Sequence, residues 1–214
     1  MKNPIIMINF KTYKQGKQVL DLAKKIEKFS KNIIIGVQAT DCYFISLKTK
    51  LPVFVQHVDF MEPGRNTGFI LPEAVKAVGA KGVFLNHSEH RINFKDLEKT
   101  IKRCKKVNLQ TAVFAKNFRE AFKVKKLNPD YLIVEPPRLV AGDISVSKAK
   151  PYLIKKISEK LNRSFLVGAG IKTKEDVIKA INLGAGGVVI SSAITKSRNP
   201  EKKLKELFLG VGNE

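Results

Sequence analysis

Tryptophan is absent from this chain, and among its 214 residues tyrosine occurs 4 times, histidine 3 times and cysteine 2 times. The lack of Trp and the scarcity of Tyr speak against a nucleic-acid surface, which interleaves aromatic and basic side chains on one face. Cys42 and Cys104 stand apart with no Cys-x-x-Cys spacing, which excludes a disulfide framework and a metal knuckle. A metal held by His87 and His90 would need a third ligand, and none presents itself. Long apolar runs are missing as well: residues 33–37 and 186–190 are far too short to cross a bilayer. The opening Met1-Lys2-Asn3-Pro4 and the apolar residues 5–8 lack the length and cleavage pattern of a signal peptide, so the cytoplasm is the expected compartment.

Acidic side chains are scarce, 19 against 40 Lys and Arg, for a net charge of +21. The lysines recur in every helical segment and form no basic tail. That pattern favours a solvated surface that attracts anionic substrates over a nucleic-acid stripe.

What the chain does have is a repeated alternation. Apolar, β-branched runs occupy residues 5–9, 33–37, 52–55, 82–85, 110–114, 131–134, 165–168 and 187–191. They are nearly continuous in apolar residues, as parallel strands covered on both faces require. Helical periodicity lies between most of them, clearest at 16–29, 94–106, 118–127, 148–161 and 174–183, with Asn117, Ser147 and Thr173 placed as N-caps. A short, weak helix is expected within 41–50. Eight strand–helix units with no Ser- or Pro-rich linker predict a closed (β/α)8 barrel in one domain, residues 1–214, with some helices shortened. An open doubly wound sheet is the alternative, lowered because no Gly-x-Gly-x-x-Gly follows the first strand.

Reactive groups of such a barrel sit where its strands end. Strand one ends in Asn9-Phe10-Lys11, whose spacing of two sends an amide and an ammonium the same way; the other reading is a capping Asn and a surface Lys. After strand four come Asn86-His87-Ser88-Glu89-His90-Arg91. A His at a helix start feels the positive end of the dipole, which favours the neutral, hydrogen-bond-donating ring; the other reading is a polar loop with Glu89 paired to Arg91. After strand six stands Glu135-Pro136-Pro137, a carboxylate beside an apolar strand that has to be either used or paired. The prolines stiffen the loop start, a suitable lid hinge. Gly168-Ala169-Gly170 and Ser191-Ser192 close strands seven and eight, where small residues and a short helix opened by Ser192 suit a phosphate.

In joint order and spacing, Asn9-x-Lys11, His87-Ser88-Glu89, Glu135-Pro136-Pro137, Gly168-Ala169-Gly170 and Ser191-Ser192 resemble the triosephosphate isomerase family over essentially the full chain. The likeness is to its short archaeal branch, whose His motif reads Asn-His-Ser-Glu-His/Arg-Arg. The stretch Thr67-Gly68-Phe69-Ile70-Leu71 is similar to the family's interface loop. The resemblance implies a TIM barrel that interconverts dihydroxyacetone phosphate and D-glyceraldehyde 3-phosphate in glycolysis and gluconeogenesis, with no cofactor. It implies substrate contacts by Asn9 and Lys11, His87 as electrophile, Glu135 as general base, and phosphate contacts near Val140, Gly170, Ser191 and Ser192. It also implies a homo-oligomer, dimer or tetramer, the tetramer being usual in the archaeal forms. The chain departs from the family at the lid tip, with Ala141-Gly142-Asp143 in place of the usual Gly-Thr-Gly. The alternatives are another phosphate-binding barrel enzyme, an aldolase or sugar-phosphate isomerase, and a basic barrel that binds nucleic acid. A Schiff-base aldolase needs a lysine inside the barrel, for which Lys11 and Lys116 are the nearest candidates.

Overall fold

Alternation of side chains along each strand divides the apolar residues into two sets, and both sets are buried in the computed structural model, which describes residues 4–140, 144–209 and 211. The strands are β1 (Ile5–Asn9), β2 (Ile34–Val37), β3 (Val53–Val55), β4 (Gly82–Leu85), β5 (Gln110–Ala115), β6 (Tyr131–Val134), β7 (Leu166–Val167) and β8 (Gly187–Ile190). Each pairs in parallel with the next, and β8 returns to β1 with Ile8 opposite Ile190, so the sheet closes into a barrel. One set of side chains fills the lumen, with Met7, Ile34, Phe54, Phe84, Phe114, Ile133, Leu166 and Val189 packed together. Rings dominate this packing: Phe54 lies 5.9 Å from Phe84 and Phe84 5.5 Å from Phe114, centre to centre. A β-carbon at Gly36 or Gly82 would overlap the Phe84 or Phe54 ring, so these two strands carry no side chain where the rings lie. The other set, including Ile8, Val37, Val55, Leu85, Val113, Leu132 and Val188, faces the helices.

Those helices are α1 (Lys17–Phe29), α2 (Ala39–Lys48), α3 (Pro72–Ala77), α4 (Phe94–Lys106), α5 (Phe118–Lys126), α6 (Val146–Ala149), α7 (Pro151–Leu161), α8 (Lys174–Asn182), α9 (Ser192–Thr195) and α10 (Pro200–Phe208). Their apolar positions recur every three or four residues, as Leu97, Thr100, Ile101 and Cys104 do on α4, which gives one buried stripe per helix. Asn93, Asn117 and Thr173 cap α4, α5 and α8 by accepting a backbone N–H three residues on. The expected helix 148–161 is two helices. Lys150 between them has φ −138°, and Pro151, which lacks an N–H, restarts the helix. Ser147 is not a cap but lies inside α6; Ser145 caps it instead, accepting from the Lys148 N–H. Both cysteines are free and buried, and burial pushes the Cys104 thiol up to about 12, which leaves it inert. Among the described residues no helix is long and apolar enough to cross a membrane.

Candidate active site

Strand parity aims the strand-end residues over the lumen. Met7, Ile133, Leu166 and Val189 point inward, so Asn9, Glu135, Gly168 and Ser191, two residues on, reach the mouth on the same side. All eight expected site residues, Asn9, Lys11, His87, Glu135, Val140, Gly170, Ser191 and Ser192, line one pocket there. Lys116, the second Schiff-base candidate, lies outside it.

Lys11 has a left-handed backbone, φ 49°, which a non-glycine residue adopts only when its surroundings enforce it. Asn9 Oδ1 accepts the Lys11 N–H at 2.9 Å. Gln56, at the end of β3, donates its side-chain amide to the Lys11 carbonyl at 2.8 Å, to Asn9 Oδ1 at 3.3 Å and to Gly36 O at 3.2 Å. Gln56 escaped the sequence reading because a lone Gln after an apolar strand carries no chemical signature. Its position over the lumen would have been the one available clue. The Lys11 ammonium meets Glu89 Oε1 at 2.5 Å. Glu89 therefore pairs with Lys11, and Arg91 pairs across the loop with Glu120, in place of the Glu89–Arg91 pair of the alternative reading.

His87 does not begin a helix, because α4 starts only at Phe94 behind its Asn93 cap. The dipole argument for its neutral ring falls with that position. The Glu89 N–H donates to His87 Nδ1 at 3.2 Å. With Nδ1 accepting, the ring proton resides on Nε2, which faces Glu135 Oε2 at 3.0 Å. The ring stands edge-on to Phe114 at 4.8 Å, and Asn86, at φ 64°, fixes the start of the turn by donating to Phe114 O and accepting from Ile92 N–H. The same Glu135 oxygen accepts from Ser88 Oγ at 3.4 Å. The Glu135 N–H continues the sheet by donating to Ala115 O, so β5 and β6 set the root of this side chain. Its carboxylate occupies the space next to Gly168, where a β-carbon would come within 2.6 Å of Oε1.

The opposite wall is mostly backbone. Ala169 and Gly170 both have positive φ, 80° and 70°. Val140 follows a short 3-10 turn, Pro137–Leu139, and its N–H donates to Pro137 O. Ser191 precedes α9, and its buried hydroxyl has no partner among the described residues. Tyr13 and Lys172 also line the pocket and were not anticipated, since a single Tyr and one more Lys on a basic chain do not stand out. Ala141, Gly142 and Asp143, where a lid tip is expected, lie outside the described residues.

Among proteins of similar sequence are the triosephosphate isomerases of three archaea. That of Sulfolobus acidocaldarius is 43% identical, covering 96% of this chain and 94% of the relative. That of Saccharolobus solfataricus is 41% identical over 97% and 96%, and that of Methanocaldococcus jannaschii 41% identical over 95% and 98%. The family model for thiazole biosynthesis protein ThiG matches residues 144–212, the part that carries β7 and β8. The model for triosephosphate isomerase matches residues 4–117, more than half of the chain. With that match and these near full-length relatives, the chain belongs to the triosephosphate isomerase family.

Proposed function

We propose that this barrel, acting as one domain, interconverts dihydroxyacetone phosphate and D-glyceraldehyde 3-phosphate through an enediolate, with Glu135 moving the carbon-bound proton. The observation that carries the assignment is the 3.0 Å contact between His87 Nε2 and Glu135 Oε2, at the edge of a pocket that also holds Lys11. A carboxylate base opposite an imidazole donor is the established pattern of this family. When substrate enters between the two groups, its carbonyl oxygen takes over the Nε2–H and leaves the carboxylate free to face the adjacent carbon. Glu135 removes the proton there and returns it to the neighbouring carbon, the adjacent hydroxyl passes its proton to the former carbonyl oxygen by way of the His87 ring, and His87 and the Lys11 ammonium hold the negative charge that develops on oxygen in between. Asn9 orients substrate and Lys11 together, since its side chain touches the Lys11 backbone.

Backbone near Val140, Gly170, Ser191 and Ser192 takes the phosphate. The positive angles at positions 169 and 170 support this reading, as does the Ser191 hydroxyl, which has no partner among the described residues. The net charge of +21 draws the dianionic substrate toward the mouth. We place the enzyme in the cytoplasm as a homo-oligomer with the tetramer as the expected form. The exposed Tyr43, Phe44 and Leu47 on α2 support self-association.

A coupled assay with glyceraldehyde 3-phosphate tests the activity. Deuterium uptake at the substrate carbon in heavy water tests proton transfer by a side chain. Turnover without any exchange with solvent under any condition would point to hydride transfer and remove Glu135 from the role of base.

A further inference from the structure

The pocket wall at Ala169 and Gly170 needs something to hold it. Alanine at φ 80° costs energy unless its neighbours over-determine the conformation. The neighbour is the segment after the lid. The Val146 N–H donates to Ala169 O at 3.1 Å, and Gly170 lies so close to this segment that a β-carbon would meet Ile144 O at 2.5 Å. Both sides of this contact converge on one buried carboxylate. Asp176, 2% exposed in the first turn of α8, has an Oδ2 that accepts the N–H groups of Lys172 and Thr173 at 3.0 and 3.1 Å. That half is a capping box, an ordinary way to begin a helix. Its Oδ1 makes contacts that a cap does not require: it accepts from Ser145 Oγ at 2.8 Å and meets the Lys148 ammonium at 2.9 Å, both on the other segment. Ser147 Oγ adds a bond to the Asp176 carbonyl at 3.0 Å.

We infer that Asp176 is a positioning residue for the phosphate end of the site. Its carboxylate ties residues 145–148 to the loop 168–173 and so keeps Ala169 and Gly170 in the left-handed conformation that forms the pocket wall. Asp176 touches no substrate and acts through the loop alone. This inference rests on the phosphate reading of the pocket given above. The two carboxylate oxygens have different roles, Oδ2 starting α8 while Oδ1 registers the loop against the segment that follows the lid. Severing the Oδ1 side then loosens the phosphate grip while leaving the ion pairs of His87, Glu135 and Lys11, which follow other strands, in place.

The cleanest test is the double variant Ser145→Ala/Lys148→Met, which cuts the Oδ1 side and leaves the capping box intact. Asp176→Asn serves as the direct counterpart, and Lys155→Met, on the exposed face of α7, controls for the loss of one surface charge. The readouts are kcat, KM for glyceraldehyde 3-phosphate, the inhibition constant of inorganic phosphate and the thermal midpoint. The double variant is expected to raise KM and the phosphate constant together by about tenfold, ~1.4 kcal/mol, with kcat nearly unchanged and Lys155→Met like the parent. A double variant with a lowered midpoint but parental KM and phosphate constant would overturn the inference, because Asp176 would then be a structural cap only. If Asp176→Asn fails to fold, the double variant decides alone. Absence of competitive inhibition by phosphate in the unmodified enzyme would overturn the phosphate reading first, and is seen before any variant is made.

Discussion

On one side of the barrel mouth, β1, β4 and β6 deliver side chains that pair with one another: Lys11 with Glu89, and His87 with Glu135. On the other side, β7 and β8 deliver Gly168, Ala169, Gly170 and Ser191, small residues whose backbone forms the wall. The first side works through functional groups, which must sit at fixed distances, and each is held by a neighbour's hydrogen bond. The second works through backbone conformation, which its own small side chains cannot enforce and which adjoining segments therefore hold. On the proposed roles, chemistry on one side and grip on the other are damaged separately, by different kinds of substitution.

The largest effect is expected from the side-chain half. Glu135→Gln keeps the shape of the site but removes the base, and kcat should fall by about 10²–10⁴-fold with little change in the unfolding midpoint. A variant with near-parental kcat would show that the two halves do not divide the work in this way. Lys11→Met comes next: losing the fixed positive charge should cost about 10²-fold in kcat/KM, visible in steady-state kinetics. It also leaves Glu89 without its cation, so binding of a phosphate-bearing inhibitor should weaken in parallel.

Gly168→Ala sharpens the comparison, because it places a change on the backbone side that acts on the side-chain side. The new methyl would enter the space of Glu135 Oε1, 2.6 Å away, and the carboxylate must swing aside. A drop of roughly tenfold in kcat with a smaller change in KM is expected from displacing a base by a fraction of an ångström. If KM rises instead while kcat holds, Gly168 serves the grip and not the base.

The smallest effects are in stability and pH. Burial pushes His57 below its usual value by more than its hydrogen bond to Asp59 lifts it, and the nearby His90 adds to the lowering. The unfolded chain binds a proton at this His near about pH 6.5, while the folded chain binds it less readily. Stability should therefore decline as pH falls below about 6.5, by at most ~1.4 kcal/mol per pH unit. His57→Asn should flatten that slope in urea unfolding curves. Asp176 changes stability in the same sense, at a lower pH. Burial pushes its carboxyl up, but Lys148, the Lys172 N–H, Ser145 and the Thr173 N–H together hold it down at about 2. Its contribution, about 2 kcal/mol, should be intact above about pH 4 and be lost as pH falls through about 2.

Much of this was legible in the residues alone, and the reason is period and charge. Continuous apolar runs bounded by charge gave every strand to within a residue or two, because a strand buried on both faces tolerates few polar side chains. The reactive half of the site was legible for the same reason: a carboxylate, an imidazole or an ammonium at the end of an apolar run is conspicuous. Distances between segments far apart in sequence were not. Nothing local says that Glu89 lies beside Lys11, 78 positions earlier, rather than beside Arg91 two positions later. The break between α6 and α7 was hidden because Pro is welcome in a first helical turn and so did not announce two helices. Gln56 and Asp176 were silent for a related reason: an amide or a carboxylate acquires its role only from the donors and acceptors that closure of the barrel brings to it. The sequence by itself determined an eightfold alternation and the chemical groups at the strand ends, since these follow from local period and residue type. Tertiary structure alone decided which of those groups touch and what holds the wall at Ala169 and Gly170, because these contacts join segments far apart in sequence that meet only when the barrel closes.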